Sequence, residues 1–152
     1  MQLDENIVTQ EHIFSTTDMT NFMAHRFKQK KPYVMCDYGC ISLNPMEWLP
    51  LYNNATRSVH ASHKATSAHL YELVNAVMGC VDEASQTVMI TGETGAGKSE
   101  ATRLCLGYIA FLASDVKPGS DRLVQQAMYS NQMLEYIGNA RTPSNRNSSR
   151  FG

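Results

Sequence analysis

Apolar residues recur at helical spacing in several separate stretches of this chain. After the N-cap run Ser15-Thr16-Thr17-Asp18, the residues Met19, Phe22, Met23 and Phe27 share a helical face. The cations Arg26, Lys28, Lys30 and Lys31 follow where the helix should end. There they complement its dipole and read as a solvated end. Pro32 stops the helix. Tyr33 to Leu43 (YVMCDYGCISL) is rich in β-formers and predicts one or two short strands, with Asp37-Tyr38-Gly39 as turn or bulge. Asn44-Pro45 and Pro50 break the chain again, so 44–62 reads as loop with short turns. Ala65, Ala68, Leu70, Tyr71, Val74 and Val77 form a stripe that predicts a helix over 64–78. Residues 85–91 (SQTVMIT) predict a strand, and Ala101, Leu104, Cys105, Tyr108, Ile109 and Leu112 a strong amphipathic helix over 100–113. A further helix is expected over 123–137, with Ala127, Met128, Met133, Leu134 and Ile137 on its apolar side and Gly138 at its end. Residues 1–14 show no period, and 139–152 is polar enough to read as a solvated loop.

Composition narrows the class. The 152 residues suit one domain or part of a larger one. An apolar share of 43% is enough for a real core. Thirteen Lys and Arg against fourteen Asp and Glu leave a net charge of −1. That balance speaks against a nucleic-acid binder and against a polybasic membrane-surface module. No apolar run approaches a transmembrane length. Met1–Gln10 holds Asp4 and Glu5 and no apolar run, unlike a secretory signal. Cys36, Cys40, Cys80 and Cys105 lack paired spacing and read as free, mostly buried thiols of a reducing, cytoplasmic compartment, Cys105 as core. His60, His63 and His69 read as surface histidines before a zinc site, since no Cys or acid falls at a supporting spacing. The nine methionines read as core before binding surface.

One motif carries chemistry. Gly92-Glu93-Thr94-Gly95-Ala96-Gly97-Lys98-Ser99 matches G-x-x-x-x-G-K-[ST] in full. Its glycines permit the backbone angles of an anion nest, and the helix that follows aims free N–H groups and a positive dipole end at the same spot. Lys98 would reach β- and γ-phosphates, and Ser99 would offer its hydroxyl to Mg²⁺. A chance match in a chain this long is roughly 1 in 200 at ordinary residue frequencies. Phosphate binding follows from spacing and context. The kind of nucleotide hydrolase does not.

The words around the loop narrow it. TGETGAGKSEATRL resembles the phosphate loop of the myosin motor family, usually GESGAGKTE. NARTPSNRNSSRFG at 139–152 resembles the myosin switch I, close to NAKTxRNxNSSRFG. NPMEWLPLY at 44–52 is similar to the purine-binding NPxxxLPxY segment, and LVQQAMYSNQMLEYIGNA to the family's linking helix. Order and spacing suit the family over residues 15–152.

The resemblance implies an α/β fold, a P-loop NTPase-type three-layer core in which 1–152 supplies the N-terminal part of the motor and a portion of its central sheet. It implies ATP with Mg²⁺, and actin filaments as partner through later parts of the motor. The setting would be cytoskeletal, with no nucleic acid and no membrane segment. Asn44, Pro45 and Tyr52 would line the adenine pocket. Gly92, Glu93, Thr94, Gly95, Ala96, Gly97, Lys98, Ser99 and Glu100 would form the phosphate cradle. Ser99 and Ser149 would bind Mg²⁺. Lys98, Asn145 and Ser148 would face the γ-phosphate and the attacking water, and Arg150 would pair with a glutamate of switch II. That switch, the actin surface and the converter have no counterpart in these residues, so hydrolysis by them alone is expected to be crippled. Ser144 stands where the family usually has Arg, and Trp48 either stacks near the purine or covers core. A nucleotide binder without turnover is the rival reading. An unrelated kinase or GTPase is the weakest, since no guanine-specifying NKxD is present.

Overall fold

The computed structural model describes residues 7–8, 15–36, 39–116 and 120–138. The chain divides into two compact units, Met1–Gln86 and Thr87–Gly152.

The first unit orders as β1 (Ile7–Val8), α1 (Thr16–Lys28), β2 (Tyr33–Cys36), β3 (Gly39–Ser42), α2 (Asn54–Ala61) and α3 (Leu70–Gly79). Its three-stranded sheet runs β1-β2-β3. β1 pairs in parallel with β2 (Ile7 opposite Met35), and β2 pairs antiparallel with β3 (Tyr33 opposite Ser42, Cys36 opposite Gly39). The expected pair of short strands is therefore present. Helix α1 starts at its predicted cap: the Ser15 hydroxyl oxygen accepts from the Asp18 N–H at 3.1 Å. It ends with Lys30 in the left-handed region (φ 57°), where the Lys31 N–H reaches back to the Arg26 carbonyl at 3.1 Å.

Arg26 corrects the solvated-end reading. It is only 2% exposed. Its guanidinium donates to the Tyr33 carbonyl at 2.5 Å and lies over the Phe22 ring. Arg26 thus ties α1 to the start of β2, while Phe27, expected on the buried face, is 47% exposed.

Residues 44–62 are not all loop. Asn53 caps α2 by accepting from the Thr56 N–H at 2.9 Å. The helix NATRSVHA is too poor in large apolar residues for periodicity to announce it. Helix α3 begins at Leu70 and not at 64, because His69 takes the N-cap: its Nδ1 accepts from the Tyr71 N–H at 3.1 Å. The core of this unit holds Tyr33, Val34, Leu49, Leu70, Tyr71 and Val74. His60 and His69 lie in it as well (2% and 3% exposed), so they are not surface histidines, whereas His63 is exposed. No three metal-ligating side chains converge among the described residues.

In the second unit, α4 (Lys98–Val116) packs on α5 (Ser120–Gly138). Both helices extend slightly beyond their predicted spans. Leu104 and Tyr108 are the buried core of α4, and Tyr108 stacks on Phe111. The strand expected over 85–91 is not formed: residues 86–91 carry no regular structure, and Met89 is 81% exposed. A strand exists only through a partner ladder, and none of the described residues offers one to this segment. The described methionines do not form the expected core either, since none is fully buried. Met46, Met89 and Met133 are each more than 60% exposed. Nor are the cysteines mostly buried: Cys80 is exposed, and Cys36, Cys40 and Cys105 are half-buried. The apolar side of α5 is itself open, with Leu134 56% and Ile137 77% exposed. No described helix is long and apolar enough to cross a membrane.

Candidate functional site

The phosphate loop belongs to the second unit. Gly92, Gly95 and Gly97 have φ of 152°, 83° and 91°, while Glu93, Thr94 and Ala96 keep negative φ. Positive and negative φ therefore alternate from Gly95 into Lys98, the backbone pattern that turns successive N–H groups to one side. The Ala96 N–H bonds the Glu93 carbonyl at 3.1 Å and closes the turn. The Ala101 N–H bonds the Gly97 carbonyl at 2.9 Å and opens α4. The N–H groups of the first helical turn, Lys98 to Glu100, precede that ladder and are available to an anion.

Glycine is required at two of these positions for different reasons. At Gly92 a Cβ would lie 3.2 Å from the Ala96 Cβ, on top of the unfavourable φ. At Gly95 nothing lies within 4 Å of a Cβ, so only the backbone angle opposes a side chain. Gly95→Ala is therefore expected to cost about 1 kcal/mol, the left-handed penalty alone. Urea unfolding of variant and parent measures it. A cost near zero would mean that the loop relaxes to negative φ at residue 95.

Lys98 lies at the start of α4 and folds back across the loop. Its Nζ donates to the Gly92 carbonyl at 2.7 Å and the Glu93 carbonyl at 2.8 Å. The ammonium thus spans the mouth of the loop. Ser99 is exposed one residue into the helix. Glu100 pairs with Arg103 one turn on. That hydrogen bond, helped by the guanidinium charge and opposed by partial burial, holds the Glu100 carboxyl below its usual range. Cys105, half-buried in α4, has its thiol pushed up by burial and so behaves as core, not as a reactive thiolate.

The purine-like segment belongs to the first unit. The Asn44 side-chain oxygen accepts from the Met46 N–H at 2.9 Å, and Met46 adopts φ 57°. This local turn sends the chain out and back. Leu49 anchors it in the core, Asn44 and Pro45 are half-buried, and Trp48 is 68% exposed. Trp48 therefore does not cover core. Its ring leans on Tyr52, centroids 5.3 Å apart. The Tyr52 hydroxyl shares a 2.7 Å hydrogen bond with the Tyr33 hydroxyl. Glu47 pairs with Lys30 at 3.0 Å, tying the segment to the end of α1. Tyr52 also packs on His69, a contact that sequence reasoning missed. Its only signal was a histidine just before an apolar helix start. The switch residues Asn145, Ser148, Ser149 and Arg150 lie outside the described residues.

Comparison with known proteins places the chain. The profile described as Myosin head (motor domain) matches residues 5–152. Myosin-3 of Arabidopsis thaliana is 31% identical over 132 residues, 86% of this chain and 11% of the relative. Unconventional myosin-Ia of Mus musculus is 34% identical over 131 residues, 84% of this chain and 12% of the relative. Myosin-1 of Arabidopsis thaliana is 32% identical over 130 residues, again 84% of this chain and 11% of the relative. The chain thus spans a small part of the length of the relatives it matches. On the profile match and on these identities, the chain belongs to the myosin head (motor domain) family.

Proposed function

We propose that this chain binds Mg·ATP as the N-terminal part of a P-loop NTPase-type motor that couples ATP hydrolysis to movement on actin filaments. The observation that carries the reading is the loop of alternating φ wound onto the start of α4, with Lys98 across its mouth. Such a loop is built to receive phosphate oxygens, and its residues fit the group. Backbone N–H groups from Gly95 to Glu100 would cradle the α- and β-phosphates. Lys98 would exchange its two loop carbonyls for β- and γ-phosphate oxygens. Ser99 would hold Mg²⁺ together with Ser149, and the ion would neutralise charge between the phosphates. Asn44, Pro45 and Tyr52 would receive the adenine, with Trp48 at the edge of that segment. Asn145 and Ser148 would face the γ-phosphate, and Arg150 would form the switch pair. Phosphoryl transfer needs positioning and charge stabilisation more than covalent chemistry, which suits a site built from a loop, a helix end and hydroxyls.

The test uses the one tryptophan of the chain. Titration with Mg·ADP is expected to change Trp48 emission saturably, and a fluorescent ATP analogue with Mg²⁺ to bind with the same stoichiometry. Phosphate release followed alongside separates a hydrolysing site from a purely binding one. Saturable binding of the analogue with Trp48 emission flat would move the base away from residues 44–52. Absence of any binding to the folded chain would end the nucleotide reading.

A further inference from the structure

Behind the purine segment the first unit holds a cluster of rings with His69 at its centre. The His69 centroid lies 4.1 Å from Tyr71, 4.8 Å from His60, 4.9 Å from Tyr33 and 5.6 Å from Tyr52. The Nδ1 of His69 accepts from the Tyr71 N–H, which leaves the ring proton on Nε2 and the ring neutral. Contacts then run outward, from His69 to Tyr52 and from Tyr52 to the exposed Trp48. A buried helix cap thereby lies in ring contact with the surface segment that carries Tyr52.

We propose that neutral His69 is the positioning residue that holds Tyr52, and that its protonation releases the segment that would receive the adenine. The second half rests on the nucleotide reading above. Every element around the ring bears on its charge. From α2 comes His60, whose Nδ1 is 2.5 Å from Glu72 of α3. From α3 come Tyr71 and that same Glu72, the carboxylate already engaged by His60. From β2 comes Tyr33, whose carbonyl is held by the Arg26 guanidinium of α1. From the purine segment come Tyr52 and the Leu51 carbonyl. A proton on Nδ1 would remove the acceptor that caps α3 and place a cation beside His60 with no carboxylate of its own. Burial first, then His60, pushes the His69 ring down to about 4, with the Leu51 carbonyl working weakly against both. The protonated ring must leave its site, and Tyr52 loses the surface it rests on.

The experiment follows Trp48 emission and the His69 ring signal by NMR on the whole chain as pH is lowered, with far-UV circular dichroism as the control for folding. The expected result is a Trp48 step that coincides with the His69 titration while helix content holds. His69→Asn keeps a good capping oxygen but cannot titrate, so the step should vanish. Across the step, affinity for Mg·ADP should fall about five- to tenfold relative to affinity for inorganic pyrophosphate, which has no base. Trp48 emission that stays flat while His69 titrates, or a step that survives in His69→Asn, overturns the proposal. Should the variant fail to fold, coincidence or its absence in the parent chain decides alone. Failure of both ligands to bind at any pH ends the nucleotide reading and the base-end role with it, while the Trp48 step still decides whether His69 holds Tyr52.

Discussion

Replacing Lys98 with alanine is expected to lower the proposed affinity for Mg·ATP roughly hundredfold, the scale of losing charge-assisted bonds to phosphate. The Nζ already has two acceptors, the Gly92 and Glu93 carbonyls. Those carbonyls lie on an exposed loop, and water can satisfy them when the ammonium is gone. Stability should therefore move by no more than about 0.5 kcal/mol, as for an ordinary surface substitution. Phosphate oxygens carry formal charge and carbonyls do not, so the exchange of partners favours the ligand. Arginine should not restore binding, because its planar fork cannot follow the compact path of an ammonium across the loop mouth. Calorimetric titration of parent, Lys98→Ala and Lys98→Arg, together with urea unfolding, checks both halves. A large affinity loss with unchanged stability marks a phosphate ligand. A large stability loss with unchanged affinity would instead make Lys98 a staple of its own loop.

The conformation of loop 92–99 was legible because it is local. Three glycines at fixed offsets need only their own backbone angles, and each adopts a positive φ. Helix α1 was legible because its cap and apolar stripe lie within the segment itself, and α4 and α5 were legible from their apolar stripes. The segment 85–91 failed for the opposite reason. Its β-rich composition states a preference, but a strand is a property of two chains in register.

The candidate purine site was only half legible. Asn44, Pro45 and Tyr52 could be named from the segment they share. What holds Tyr52 could not, because Tyr33, His60, His69 and Tyr71 are scattered over 39 positions of sequence. Histidines spaced as His60, His63 and His69 invite a surface or metal reading, yet two of them are core. Arg26 misled in the same way: within a run of cations nothing distinguishes the one that turns inward to a carbonyl. Long-range burial of polar side chains leaves no periodic trace.

Burial of His69 makes the chain less stable in mild acid. Its ring titrates at about 4 in the folded state, against an ordinary 6.5. Between those values the unfolded chain takes up a proton that the folded chain refuses. Unfolding free energy therefore declines as pH falls from about 6.5 and levels off near 4, where both states are protonated. The full effect is about 3 kcal/mol, a large share of what a domain of this size holds in reserve. Screening does not reduce it much, since the ring is 3% exposed. Carboxylates are separable by their window. Glu100 is held below its ordinary 4.5 by Arg103, so the stability it lends persists down to about 4.5, through most of the histidine window, and is lost only below that. Urea unfolding read by Trp48 emission at pH 7, 5.5 and 4.5 should show the midpoint sliding down. In His69→Asn the starting stability is lower by about 1–2 kcal/mol for lost ring packing, but the slope through this window should flatten. Parent and variant should thus meet between about pH 6 and 5, with the parent the less stable of the two at 4.5. Parallel curves would mean that the cluster accepts the proton in place, with Glu72 turning from His60 to serve both rings.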